Sequence, residues 1–89
     1  MLSKKAQYAF QALAHMADKR PGQPTLIAEI AEERRIPIKF LENILLELKK
    51  AGILDSKKGK GGGYYFKMSP REIPLARIIR LIDGPIAML

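Results

Sequence analysis

The chain has 89 residues, enough to close one modest hydrophobic core and too few for two. Its 47% hydrophobic and 28% charged residues describe a folded globule, and the absence of cysteine excludes a disulfide scaffold, a cysteine nucleophile and any thiolate-held zinc or iron–sulfur site within these residues. Sixteen Lys and Arg against nine Asp and Glu leave a net charge of +7, which favours a polyanionic partner, either nucleic acid or an anionic membrane surface.

Residues 3–18 set Ala6, Ala9, Phe10, Leu13 and Ala17 at helical spacing, with Lys4, Gln7 and Gln11 off that stripe and Ser3 placed to cap the helix. His15 reads as a packed or half-exposed histidine, because no carboxylate is spaced in the sequence to join it in a metal site. Residues 20–24, rich in Pro and Gly, form a turn. A second helix over 26–34 carries Ile27, Ile30 and Ala31 on its buried side, and Thr25 is the nearest residue able to cap it.

Pro37 is suited to the first turn of a third helix over 37–51. Leu41, Ile44, Leu45 and Leu48 lie there at i, i+3, i+4 and i+7, the cleanest amphipathic pattern in the chain, and Gly52 ends it after Lys49 and Lys50. The period then changes. Residues 53–56 and 64–68 are strand-like, and the basic, glycine-rich stretch 57–63 between them predicts a β-hairpin. After the Ser69-Pro70 turn, a last helix over 74–83 is expected to bury Leu75, Ile78, Ile79 and Ile82 before Gly84-Pro85 stops it.

This order is mainly α with a hairpin (α+β), a winged helix-turn-helix forming one domain over residues 1–89. No apolar run approaches the ~20 residues of a membrane span, and the start lacks a signal-peptide core, so the expected location is the cytoplasm with no membrane partner.

Residues 26–51 have helix-turn-helix spacing, and the stripe on the third helix leaves Lys39, Phe40, Glu42, Asn43, Glu47 and Lys50 pointing away from it. Lys, Asn and Glu on such a face can read base edges in the major groove, whereas a plain three-helix bundle would leave the same face solvated. The hairpin adds Lys57, Lys58 and Lys60, whose mutual repulsion phosphates would relieve, with glycines at 59 and 61–63 that admit close backbone approach. A flexible, solubilising turn is the plainer reading of the same loop. The glycines do not form a phosphate-binding P-loop, since a strand follows them. No nucleophile–base pair, carboxylate dyad or metal cluster indicates an enzyme.

With these residues in view, the chain resembles the Rrf2 family of bacterial winged-helix regulators over essentially its whole length. The stretches that carry the resemblance are Lys5-Ala6-Gln7-Tyr8-Ala9, Ile30-Ala31-Glu32, Phe40-Leu41-Glu42-Asn43-Ile44-Leu45, Leu48-Lys49-Lys50-Ala51-Gly52-Ile53-Leu54, Lys58-Gly59-Lys60-Gly61-Gly62-Gly63-Tyr64 and Ile82-Asp83-Gly84-Pro85. The resemblance implies a homodimeric transcription regulator that binds double-stranded DNA, with helix 37–51 in the major groove and wing 57–63 at the minor groove. The expected contacts are Pro37, Ile38, Lys39, Phe40, Glu42, Asn43, Lys50, Lys57, Lys58, Lys60, Gly61 and Gly62. A winged-helix protein-interaction module without DNA binding is the alternative.

Three features depart from the family pattern. Arg35 stands where the family often has glycine, and Lys60 where it often has proline. Family members usually continue into a dimerisation helix, many with three cysteines for an iron–sulfur cluster. No cofactor is expected within residues 1–89, and a cluster would require cysteines beyond Leu89. The apolar run 86–89 points to a continuation or a buried interface.

Overall fold

Ser3 opens helix α1 (Lys4–Ala17) from an extended backbone, its Oγ accepting from the Ala6 N–H at 3.0 Å. The structure is a computed structural model and describes residues 2–84. Small Ala6, Ala9 and Ala12 are fully buried, which lets α2 (Ile27–Arg34), α3 (Ile38–Lys50) and α4 (Leu75–Asp83) all pack against α1. The buried side of α1 includes Ala12, His15 and Met16, whereas the expected Ala17 is exposed and Phe10 and Leu13 are half-buried. With neighbours on several sides, the stripe is wider than a single i, i+3, i+4 row.

Helix α2 ends on Arg35, which sits in the left-handed region at φ 55°. The Arg35 and Ile36 N–H groups both donate to the Ala31 carbonyl, closing the turn. Helix α3 starts one residue later than expected, with Pro37 as its N-cap. Leu41, Ile44, Leu45 and Leu48 are fully buried, each contributing on the order of 1.5–3 kcal/mol by leaving water. At its end Gly52 takes φ 82°, while the Gly52 and Ile53 N–H groups donate to the Lys49 and Leu48 carbonyls, the paired bonds of a Schellman cap.

Strands β1 (Leu54–Lys57) and β2 (Gly63–Phe66) pair antiparallel in the register Leu54–Phe66 to Lys57–Gly63. Ile53, expected in the first strand, instead completes the cap of α3. Lys67 and Met68, expected in the second, lie beyond β2, although the Lys67 N–H still donates across to the Ile53 carbonyl at 3.0 Å. A short 3₁₀ turn (Pro70–Glu72) leads to α4, where Ile78 and Ile82 enter the core and Ile79 is half-buried. Leu75 does not follow the expectation: it is 68% exposed, bordering an open groove beside Phe10 and Leu13. Arg77 ties α4 to the end of α3 by donating to the Ala51 carbonyl at 3.0 Å, and the Ser3 hydroxyl reaches Asp83 Oδ1 at 2.5 Å. Gly84 terminates α4, while Pro85 and the apolar run 86–89 lie outside the described residues.

Candidate nucleic-acid interface

The stripe that buries Leu41, Ile44, Leu45 and Leu48 leaves Lys39, Glu42, Asn43 and Lys50 of α3 exposed, preceded by exposed Pro37 and Ile38. Lys39 Nζ lies 3.8 Å from Glu42 Oε1, an i, i+3 pair in water whose two side chains are 90% and 48% exposed. Such a pair is weak and easily exchanged for other partners. Two residues placed on this face by periodicity are engaged elsewhere. Phe40 is half-buried, edge-on to the Tyr8 ring with centroids 5.5 Å apart, so it docks α3 on α1. Glu47 is half-buried and pairs with Lys5 at 2.7 Å, also fastening α3 to α1.

The hairpin tip carries its charge outward. Lys57, Lys58, Gly59, Lys60 and Gly61 are exposed, and no acidic residue occurs from 56 to 71. Gly62 departs from the expectation of an open, groove-facing glycine. It is buried, its N–H donates to Gly59, and a Cβ there would overlap the Lys57 carbonyl oxygen. Gly62 therefore closes the loop on itself. At the base of the hairpin Lys49 Nζ donates to Ser56 Oγ at 2.7 Å, linking the end of α3 to β1.

Thr25 does not cap α2. Leu26 is the N-cap and makes no side-chain cap bond, while Thr25 is buried and pairs with Tyr64 through reciprocal backbone bonds of 2.8 and 2.9 Å. Gly63, at φ 138°, lies so close that a Cβ would overlap the Thr25 carbonyl. The segment entering the helix pair is thereby a third rung beside the hairpin. No local sequence signal marks this, because the partner lies far along the chain.

His15 also differs from the sequence reading. The fold brings two carboxylates to it: Nε2 is 2.7 Å from Glu29 Oε2 and 4.0 Å from Glu33 Oε2. These three side chains are a group among the described residues compact enough for a cation, with ligand atoms within 4.8 Å of one another. Protein cations already serve it. Lys19 Nζ is 3.0 Å from Glu29, and Arg34 Nε donates to His15 Nδ1 at 3.4 Å. The hydrogen bond from His15, then that from Lys19, holds the Glu29 carboxyl below the ordinary glutamate value of 4.5. The cluster pins α1 to α2, the first helix of the helix-turn-helix.

Comparison with known proteins decides the family. The family pattern of Rrf2, described as an iron-dependent transcriptional regulator, matches residues 2–89. The chain belongs to the Rrf2 family. It is 42% identical over 92 residues to an rrf2-like regulator of the helix-turn-helix type from Rhodobacter capsulatus, covering 100% of this chain and 61% of that protein. It is 34% identical to the regulator IscR of Aliivibrio salmonicida, covering 92% of this chain and 49% of the relative. Among solved structures, CymR, the global cysteine regulator of B. subtilis, superposes with a TM-score of 0.91 at 30% identity over 100% of this chain and 69% of its own. The IscR structure from T. potens gives 0.86 at 32% identity, covering 99% of this chain and 64% of that one. The winged helix-turn-helix fold is thus that of Rrf2 regulators, and the chain spans between about half and three-fifths of the length of the curated relatives it matches.

The Rrf2 family description speaks of iron, and the residues present do not fit a thiolate-held cluster, since none of the 89 is cysteine.

Proposed function

We propose that this Rrf2 chain is the DNA-binding part of a cytoplasmic, non-enzymatic transcriptional regulator that acts as a homodimer on two half-sites. The observation that carries this reading is the pairing of an exposed Lys39–Glu42–Asn43 face on α3 with an acid-free basic wing, fastened to the entry of the helix pair through Thr25 and Tyr64. Kinship with proteins named as helix-turn-helix transcriptional regulators supports it.

In the proposed complex α3 lies in the major groove. Pro37 and Ile38 bring the helix start against the duplex, and Lys39 and Asn43 meet base edges or phosphates. Glu42 accepts from cytosine, so it selects sequence and adds no affinity for phosphate. Lys57, Lys58 and Lys60 neutralise phosphates as the wing tip with Gly61 enters the minor groove, and Lys50 holds the backbone between them. Phe40 and Gly62 act indirectly here, the first by setting the pitch of α3 on α1 and the second by closing the wing loop.

Selection from a pool of random duplexes tests this. The expected outcome is enrichment of a shared motif, with half-sites one helical turn or a multiple of it apart. A pool that stays random after repeated rounds would overturn the reading.

A further inference from the structure

Behind the wing, where the turn after α1 faces the exit of β2, lies a cleft of about 470 Å³ that plays no part in the proposed DNA contacts. Its volume is in the range of small-molecule sites. Met16, Ala17, Phe66 and Met68 give it an apolar lining, and Lys19, Arg20 and Lys67 supply its charge, with no carboxylate among the lining residues. Lys19 is committed to Glu29. Arg20 and Lys67 are exposed and have no ion-pair partner among the described residues. Ser69, also on the lining, accepts the Arg71 N–H, which leaves its own hydroxyl proton free to donate.

We propose that this cleft binds a small amphipathic monoanion, an organic carboxylate whose apolar body lies on Met16, Phe66 and Met68 while its carboxylate meets Arg20 and Lys67. Charge complementarity selects this class. A neutral apolar ligand would leave two cations facing it, and an organic cation would be repelled by three. The neighbouring groove of Phe10, Leu13, Ile73 and Leu75 shares Ala17, Phe66 and Pro70 with the cleft but has no charged residue on its lining, and it serves as an internal comparison. The cleft is bounded by the 20–23 turn, which leads to Thr25, and by the strand that carries Tyr64, so a ligand there contacts both segments joined by the bridge that seats the wing.

The test uses octanoate and uncharged 1-octanol as probes, followed by methyl and amide NMR shifts of this chain. Saturable octanoate shifts are expected at the Met16 and Met68 methyls and the Gly22 and Ser69 amides. The dissociation constant should be on the order of millimolar, as befits about ten heavy atoms. Octanol should bind about three- to tenfold more weakly, the worth of two exposed charge contacts. The variant Arg20→Gln with Lys67→Gln should lose that preference while its Ile78 and Ile82 methyl positions stay unchanged, showing an intact core. Absence of saturable shifts, shifts confined to Leu13 and Leu75, or a carboxylate preference surviving in the double variant would each overturn the proposal. None of these readouts requires DNA, so their failure and that of the DNA reading are separable.

Discussion

Thr25 and Tyr64 exchange backbone hydrogen bonds of 2.8 and 2.9 Å, and this one rung joins the entry of the helix-turn-helix to the returning strand of the wing. Gly63 permits it, because its φ of 138° belongs to a region that side chains rarely adopt and its missing Cβ leaves room for the Thr25 carbonyl. Gly63→Ala should therefore cost on the order of 1–3 kcal/mol. Thermal melts should show the loss, and hydrogen exchange should report faster opening of the Thr25 and Tyr64 amides than of the core of α3.

On the wing tip, Lys58→Ala combined with Lys60→Ala should weaken binding to every duplex alike. Both side chains are exposed, so stability should hardly change. The slope of log affinity against log salt should fall in magnitude by about one or two.

Glu42, if it faces bases as proposed, should behave differently because a carboxylate repels phosphate. Its replacement by Ala is expected to relax base preference, with a loss of ~1–3 kcal/mol of discrimination at one position. Competition among single-base variants of a selected site measures it.

The helix order, the hairpin and the four-residue core stripe of α3 are legible in the sequence because they rest on local period and on glycine and proline. What escapes is non-local. The bridge from Thr25 to Tyr64 is made by backbone atoms and leaves no trace in side-chain pattern. His15 meets Glu29 and Glu33 only after α1 and α2 are packed. Phe40 counts as solvent-facing by helical phase, yet Tyr8 on another helix covers it. Leu75 fits the buried phase of α4, but no described element lies over it. Periodicity states which way a side chain points and is silent on whether anything waits there.

The His15 cluster gives the stability a pH dependence of definite sign. Glu29 has a folded pKa below its ordinary 4.5, so its contribution is present above that value and is lost as pH falls through the folded one. In acid titrations followed by circular dichroism, Glu29→Gln should be less stable than the parent near neutrality, and the two should converge under strongly acidic conditions. A constant gap across pH would mean that the His15 cluster does not set this pH dependence.

Arg35 holds a left-handed conformation that costs a non-glycine residue about 1 kcal/mol. Arg35→Gly should relieve that strain, less the added freedom of glycine in the unfolded chain, and raise the melting temperature by up to several degrees. A lower melting temperature would mean that the freedom glycine adds to the unfolded chain, or a contact of the Arg35 side chain, outweighs the strain.

Whether the α3 face and the basic wing together bind duplex DNA is decided by fluorescence anisotropy of this chain on a labelled duplex at two salt concentrations. Binding at low salt should weaken about tenfold or more on going to physiological salt. Absence of binding at low salt, or an affinity that salt does not change, would contradict the proposed DNA binding.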